Sequence, residues 1–241
     1  AILLGNAAAH HEKAGSLLSL ANWIGQQTGA TVGYLSEAAN TVGAQLVRAL
    51  PGQDGLNAGQ MLGGGLKAAI LLNTEPAFDS AAGDSGLSSS SMAVTLSPFK
   101  ANLDISDVLL PIAPFTETSG SFVNAEGRLQ SFHAVVKPLG ETRPAWKVIR
   151  VLGNLMGLPG FDAESSQAVL AAVLPGVSAG EVVAAARLSN ADAGLGPAAA
   201  DQSPSKVWPC VASIYQLDSL VRRASSLQLT ADARAAEGAH A

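Results

Sequence analysis

The chain has 241 residues, of which 48% are hydrophobic, 14% are charged and 5% are aromatic, and its formal net charge is −5. This length allows a sizeable core, and the composition suits helices packed on a buried sheet. The negative charge argues against a nucleic-acid-binding surface, which needs clustered Lys and Arg. The single cysteine, Cys210, excludes an internal disulfide and a cluster held by four cysteines. No run approaches the roughly 20 apolar residues of a membrane span, so no direct membrane insertion is expected.

The first part of the chain alternates short apolar runs with helical patterns. Strands are predicted at 1–4, 30–35, 68–72, 93–96 and 108–110, and helices at 12–28 and 42–50. A Gly-rich loop is predicted at 52–65, and at 76–91 a helix weakened or partly replaced by loop. This rhythm predicts parallel strands with right-handed crossovers, an α/β fold with a sheet of about five strands. Because the chain begins directly in a strand, we expect it to be an excised fragment.

The second part of the chain is predicted to be mainly helical. Pro144 opens a helix with Trp146, Ile149, Val151, Leu152 and Leu155 on its apolar side. Two Ala-rich helices are predicted at 163–174 and 179–188, followed by a small-residue linker at 189–205 and one helix around 215–224. No alternating strand pattern follows Phe132.

The stretch from Asp107 to Gln130 carries the strongest candidate site. An apolar run at 108–110 is stopped by Pro111, and the loop beyond it contains polar side chains and turn glycines. An apolar strand that leads directly into a polar loop is where an open α/β sheet presents a site. The candidate residues are Glu117, Gly120, Asn124, Glu126, Gly127 and Arg128.

This loop allows two interpretations. In the functional one, Glu117, Asn124, Glu126 and Arg128 form the wall of a polar pocket. In the structural one, Glu126 or Glu117 pairs with Arg128, and Asn124 and Gly127 support tight turns. We favour the structural interpretation because polar networks also support folds. It predicts that Arg128→Ala lowers the melting temperature more than it changes any ligand affinity.

Other motifs in the sequence carry weaker signals. His10, His11 and Glu12 lack metal-site spacing and are interpreted as solvated turn residues. Gly5 and the glycines at 63–65 are interpreted as turn glycines, because no phosphate-binding motif accompanies them. Ser119 and Ser121 do not lie in a hydrolase motif. Arg222 and Arg223 are interpreted as an exposed basic pair, with contact to a neighbouring subunit as the alternative.

The segment PIAPFTETSGSFVNAEGRLQSF also resembles a known family. Its pattern is similar to the signature of the molybdopterin oxidoreductase superfamily. The variant is similar to the large iron–sulfur subunit of bacterial NADH:quinone oxidoreductase, respiratory complex I. AILLGNAAAHHEKAG, GETRPAWKVIRVLGNLMGLPGFD and SIYQLDSLVRRASSLQLTADA resemble that same large subunit, so the resemblance covers most of the chain and weakens at 79–91.

The resemblance implies a three-layer α/β/α Rossmann-like domain of the formate dehydrogenase/DMSO reductase type over residues 1–140. A helical extension at 141–190 and a linker and tail with one helix at 191–241 would follow. The function implied is that of a cofactor-free scaffold in the peripheral arm of complex I, at the cytoplasmic face of the bacterial inner membrane. Its partners would be other peripheral-arm subunits. The 4Fe-4S and 2Fe-2S clusters would lie in an N-terminal part of the large iron–sulfur subunit, and the loop at 117–128 would be a vestigial pterin-side loop.

Two alternatives to the scaffold remain. The chain could be a pterin-binding fragment of an active molybdopterin oxidoreductase, similar to a formate dehydrogenase. Those relatives continue into a β-barrel domain, whereas this chain continues into Ala-rich helices. An independent nucleotide-binding protein is the third possibility, but it lacks a phosphate loop.

Overall fold

The computed structural model describes residues 1–9, 11, 13–35, 38–52, 55–80, 83–183 and 214–238. Its strands are β1 (Ile2–Leu4), β2 (Val32–Tyr34), β3 (Ala68–Leu72), β4 (Met92–Ser97), β5 (Val108–Pro111), β6 (Gly120–Val123) and β7 (Leu129–Phe132). Its helices are α1 (Asn6–Ala9), α2 (Ala14–Thr28), α3 (Thr41–Leu46), α4 (Ala58–Leu62), α5 (Pro76–Asp79), α6 (Ala145–Leu155), α7 (Ser166–Val173), α8 (Ile214–Leu217), α9 (Ser219–Arg223), α10 (Ser225–Gln228) and α11 (Ala231–Gly238). The chain forms two compact units, one of residues 1–37, 76–81 and 190–241 and one of residues 38–75 and 82–189. The domain boundaries expected at 140 and 190 stay predictions.

The first unit contains a parallel pair of strands, β1 and β2, joined through α2. The helix ends where the sequence predicts, at Gly29, which has a φ of +71° that favours glycine. Gly25 allows the helix to approach β2, because a Cβ at this position would lie 2.7 Å from the Val32 side chain. The absence of a side chain at Gly25 therefore permits this close packing of α2 on β2.

The first unit also contains α5 and the four short helices from α8 to α11. The sequence predicted one continuous helix around 215–224, but the structure has two helices there, α8 and α9. Asp218 interrupts the helix because its carboxylate accepts hydrogen bonds from the backbone N–H groups of Leu220 and Val221. A carboxylate in this position starts a new helix, so the chain bends there.

The second unit contains a parallel sheet of three strands in the order β3-β4-β5. Leu96 on the central strand is fully buried. Ala69, Leu71 and Leu87 form a core cluster, against which Leu62, Leu66 and Ile105 pack. The predicted strands and their parallel direction are confirmed here.

Two helical predictions in the second unit need correction. The Gly-rich loop at 52–65 contains α4, because Asn57 and Gln60 cap each other's backbone N–H groups in a capping box. The helix predicted at 179–188 is wrong over 179–183. There Gly180 has a φ of +89° and Val182 pairs with Arg128 as an antiparallel bridge. Residues 184–188 lie outside the described part of the chain.

β6 and β7 form an antiparallel hairpin. Its buried face contributes Val123 and Leu129 to a second core cluster with Leu174 and Val183. Val42, Leu46, Leu170 and Val177 pack against this cluster. Burying Val183 against the hairpin explains why residues 180–183 are not helical, since tertiary packing outweighs local propensity.

The α/β class with parallel strands is therefore confirmed. The five predicted parallel strands belong to two hydrogen-bonded sheets, one of two strands and one of three, rather than to a single sheet. β1 and β2 are three residues long, so they offer few backbone groups for wider pairing. Within the described ranges, no helix has the length and apolar character needed to cross a membrane.

Candidate functional site

Four of the predicted site residues form the turn of the β6–β7 hairpin. The N–H of Gly127 donates to the carbonyl of Asn124 over 2.9 Å, and Gly127 has a φ of +83°. The Asn124 Oδ1 atom accepts hydrogen bonds from the N–H groups of Glu126 (3.0 Å) and Arg128 (2.9 Å). This geometry is that of a hairpin loop in which a tight turn is followed by a left-handed residue. Asn124 and Gly127 therefore shape the turn.

Arg128 connects this turn to the segment that follows α7. Its Nη1 donates to the carbonyl of Gly180 over 3.0 Å, and its backbone lies opposite Val182. The Arg128 Nε is also 3.8 Å from the Glu126 carboxylate, but the two side chains are 45% and 73% exposed. An ion pair so exposed contributes little to stability. The contact with Gly180 is the firmer one.

Glu117 makes a separate contact. Its Oε2 accepts a hydrogen bond from the N–H of Leu139 over 2.9 Å. The N–H of Val135 donates to the carbonyl of Thr116 over 2.9 Å, so the same segment is attached at a second point. Glu117 therefore holds the loop after β7 in place, and its carboxylate contacts Leu139 rather than Arg128.

Gly120 is a packing glycine at the start of β6. A Cβ at this position would lie 2.8 Å from the Phe132 ring, which crosses the hairpin above it. The Phe132 ring also contacts Phe122 edge to face, with centroids 5.2 Å apart and planes at 72°. The pair is a favourable aromatic arrangement, and it requires the absence of a side chain at Gly120.

A second polar cluster lies at the carboxyl ends of β3 and β4. The Asn102 amide donates to the carbonyl of Thr74 over 2.9 Å and to the Thr95 hydroxyl over 3.3 Å. The Thr95 hydroxyl also lies 2.6 Å from the Ser106 hydroxyl, and Thr95 is fully buried. These groups tie the loops after β3 and β4 together. Polar groups inside a protein need such partners because an unpaired one is costly to bury.

Two further residues complete this edge. The hydroxyl of Ser97, which is 5% exposed, accepts a hydrogen bond from the N–H of Phe99. Asn73 follows β3 directly and has a φ of +48°, a conformation that Asn tolerates better than most residues. Ligands of parallel α/β sheets bind outside the carboxyl ends of the strands, so this edge is a candidate site that the sequence analysis missed. Its signal was the polar run directly after the apolar run at 68–72.

The remaining motifs show structural contacts where the structure describes them. The Nδ1 of His11 accepts a hydrogen bond from the N–H of Lys13 over 3.0 Å, whereas His10 and Glu12 lie outside the described residues. Gly64 and Gly65 have φ values of +103° and +84°, as turn glycines do. Among the described residues, no group of three or more His, Cys, Asp or Glu side chains could hold a metal ion.

The Ser119 hydroxyl lies 2.8 Å from the Ser166 hydroxyl. This contact joins the segment before β6 to the first turn of α7. The Ser119 hydroxyl is thus engaged in a contact within the fold.

Comparison with protein families identifies the chain. The model of the family described as "Molybdopterin oxidoreductase" matches residues 5–155. Because this match covers more than half of the 241 residues, the chain belongs to the molybdopterin oxidoreductase family.

Curated relatives match shorter stretches. A Staphylococcus aureus protein named "Putative formate dehydrogenase SAB2186c" is 43% identical over 51 residues, which are 21% of this chain and 5% of that protein. A Bacillus subtilis protein named "Probable oxidoreductase YjgC" is 41% identical over 54 residues, 22% of this chain and 6% of the relative. The Candida albicans mitochondrial NADH-ubiquinone oxidoreductase 78 kDa subunit is 41% identical over 71 residues, 29% of this chain and 10% of that subunit. The chain thus spans a tenth or less of the length of these relatives.

Proposed function

We propose that this chain is a cofactor-free structural domain of the large iron–sulfur subunit of an NADH:quinone oxidoreductase. It acts as a scaffold in the peripheral arm of that electron-transfer complex, at the cytoplasmic face of the bacterial inner membrane. Its partners are other subunits of the arm. The 4Fe-4S and 2Fe-2S clusters are held by another part of the same large subunit.

One observation carries this proposal: the polar groups of the signature loop are hydrogen-bonded to the chain itself. The Asn124 Oδ1 atom is used by two backbone N–H groups of its own turn. The Arg128 guanidinium donates to Gly180, and the Glu117 carboxylate accepts from Leu139. Side chains engaged in this way stabilise the hairpin and its neighbouring loops. They support a role in the fold.

The family implies a pterin cofactor, and these contacts bear on whether the loop fits one. A pterin has many donors and acceptors, so its site needs side chains whose polar groups are available. The Asn124 Oδ1 atom and the Arg128 Nη1 atom are already engaged, the first within the turn and the second with the Gly180 carbonyl. These internal contacts favour a structural role for the loop over a cofactor-binding one.

The similarity to known proteins also supports the scaffold function. The match to the Candida albicans 78 kDa subunit covers 29% of this chain, compared with 21% and 22% for the formate dehydrogenase-like and YjgC proteins. A subunit of a large complex commonly serves as a surface for its neighbours. This similarity supports the proposal that the chain is part of a respiratory complex.

The alternative function is a pterin-binding fragment of an active molybdopterin oxidoreductase, similar to a formate dehydrogenase. The similarity to the Staphylococcus aureus relative favours it. The carboxyl edge of β3 and β4 favours it too, because Asn73 is exposed there at the usual ligand position of a parallel sheet. In that case Asn73, rather than the hairpin turn, would face the cofactor.

The distinguishing experiment uses the whole protein that contains this chain, in its native assembly. Arg128→Ala removes the contact with Gly180, and Glu126→Gln is the matched control because it changes a charge 3.8 Å away on the same turn. We expect Arg128→Ala to lower the amount of assembled complex while NADH:quinone activity per assembled complex stays unchanged. The control should leave both quantities unchanged.

A loss of activity per assembled complex in Arg128→Ala, at normal assembly, would contradict the scaffold function. A second measurement examines the cofactor directly, by molybdenum and pterin analysis of the purified whole protein together with native mass spectrometry. The scaffold function predicts no molybdenum or pterin. A stoichiometric pterin lost in Asn73→Ala would instead establish the alternative.

A further inference from the structure

The C-terminal helices of the first unit contact α5 through a buried arginine. The Arg222 Nη1 is 2.7 Å from the Asp79 Oδ1, and the two side chains are 6% and 27% exposed. The same Nη1 donates to the backbone carbonyl of Gln216. The guanidinium also lies 4.9 Å from the centre of the Phe78 ring, within the range of a cation–π contact. Arg222 thus links α9, α8 and α5.

Apolar packing of this region is small by comparison. Leu220 and Leu227 are each 41% exposed, and Leu229 is 64% exposed. Among the described side chains between 215 and 234, Ala233 is the one buried hydrophobic residue. An alanine buries little apolar surface, so the fully buried part of the described side chains contributes little to attaching these helices. The polar contacts of Arg222 therefore contribute a larger share of the attachment to α5 than polar contacts contribute in a well-packed core.

A second polar residue makes the helices act together. The Gln228 amide donates to the carbonyls of Tyr215 (3.1 Å) and Val221 (2.7 Å). These bonds join α10 to α8 and α9. Residues 214–228 are thus connected to one another by side-chain contacts and to α5 by Arg222.

We infer that residues 214–228 form a strap, defined as a segment that attaches to α5 and detaches from it as one unit. Arg222 makes the contact that holds this strap on α5. Loss of an anionic partner is costly for a guanidinium that is only 6% exposed. Removing the Asp79 carboxylate takes a 2.7 Å ion pair away from this buried guanidinium. The strap then opens locally, because local openings of weakly packed segments cost less than unfolding of the whole domain.

Limited trypsin digestion under native conditions tests the inference, since the strap contains the cleavage sites Arg222 and Arg223. Asp79→Ala leaves both sites intact, and Asp104→Ala is the matched control on an exposed turn of the chain. We expect Asp79→Ala to speed cleavage after Arg222 and Arg223 by at least about tenfold, as loss of a buried charge partner implies. Cleavage after Lys100 and Arg128 should stay at the unmodified rate in both variants.

A pair of conservative variants separates geometry from charge. Arg222→Lys keeps the charge and the cleavage site but loses the planar group that contacts Asp79 and the Gln216 carbonyl together. We expect faster cleavage than in the unmodified chain and slower cleavage than in Asp79→Ala. Arg223→Lys, at the exposed neighbouring position, should have no effect.

Equal cleavage in Asp79→Ala and the unmodified chain would overturn the inference. So would faster cleavage at every site, because Asp79 would then support the whole domain. If Asp79→Ala does not fold, hydrogen exchange of the unmodified chain decides the question. Amides of 215–228 should exchange in one common opening that is faster than exchange in β4; exchange as slow as that of β4 would contradict a separate strap.

Discussion

The hairpin turn at 124–128 and the carboxyl edge of β3 and β4 both gather polar side chains, but they differ in burial. In the turn, Arg128 and Glu126 are 45% and 73% exposed. At the sheet edge, Thr95 is fully buried and Ser97 is 5% exposed. The turn is conspicuous in the sequence, whereas the sheet edge is not. A dense polar motif is therefore a poor guide to where polar contacts carry the most free energy.

The difference has a physical cause. A hydrogen bond exposed to water exchanges one partner for another at small net cost, whereas a buried group that loses its partner keeps the full desolvation penalty. The turn is stabilised by the apolar face of its hairpin, which contributes Val123 and Leu129 to a core cluster. The sheet edge is held by its polar groups themselves, through Asn102 and Thr95.

The largest effect should come from the apolar face of the hairpin. Leu129→Ala removes a side chain that is 1% exposed and packs with Val123, Leu174 and Val183. We expect the free energy of unfolding, measured by urea denaturation, to fall by about 2–5 kcal/mol. Gln130→Ala, at the exposed neighbouring position, is the control. A loss in Leu129→Ala no larger than that of the control would mean that the hairpin is not held by this cluster.

The next largest effect is expected when a hydroxyl group is removed from the sheet edge, and it can be compared with the same change in the hairpin. Thr95→Val preserves the shape of the side chain but removes the hydroxyl that contacts Ser106 and Asn102. The buried partners left unpaired should lower the free energy of unfolding by about 1–3 kcal/mol. Ser131→Ala removes a hydroxyl that meets Ser121 on the exposed hairpin and should cost less than about 0.5 kcal/mol. Equal losses of unfolding free energy in the two variants would show that burial does not make the hydroxyl contacts of the sheet edge more stabilising than those of the hairpin.

A backbone effect of intermediate size is expected at the turn. Gly127 has a φ of +83°, which costs an ordinary residue about 1–2 kcal/mol. Gly127→Ala should lower the free energy of unfolding by that amount in the same urea titration. Gly127→Asn should lower it less, because Asn tolerates the left-handed conformation. A neutral alanine variant would indicate that the turn adopts another conformation in solution.

The smallest effects concern the charged side chains of the turn. Arg128→Ala loses the hydrogen bond to the Gly180 carbonyl and should cost about 0.5–1.5 kcal/mol, measured as a lower melting temperature. Glu126→Gln loses only an exposed pair at 3.8 Å and should change stability by less than about 0.5 kcal/mol. If Arg128→Ala left the melting temperature unchanged but abolished binding of a ligand, the turn would be a binding site.

Much of the element pattern was predictable from local chemistry. Gly29 ends α2 in the left-handed conformation, and Pro144 precedes α6. Five apolar runs are strands, and all are paired in parallel. The exceptions have identifiable causes. The helix α4 depends on a capping box within a Gly-rich segment, and the extended segment at 180–183 depends on pairing with Arg128 and on burial of Val183.

The candidate site was predictable only in part. The turn-forming roles of Asn124 and Gly127 follow from their residue types, and the structure shows both. The partners of Glu117 and Arg128 did not follow, because Leu139 and Gly180 lie 22 and 52 residues away in the chain. Arg222 was interpreted as an exposed residue, and that interpretation is wrong, since its partner Asp79 is 143 residues away.

The sequence alone determined the α/β class, the parallel direction of the strands and the turn at 124–128, because apolar spacing and turn residues act over a few neighbours. Tertiary structure decided the division of the parallel strands into two sheets, the bridge between Arg128 and Val182 and the partners of Arg128 and Arg222. Such partners are chosen by which groups the fold brings within hydrogen-bond distance and removes from water. That selection joins residues far apart in the chain, where local patterns carry no information.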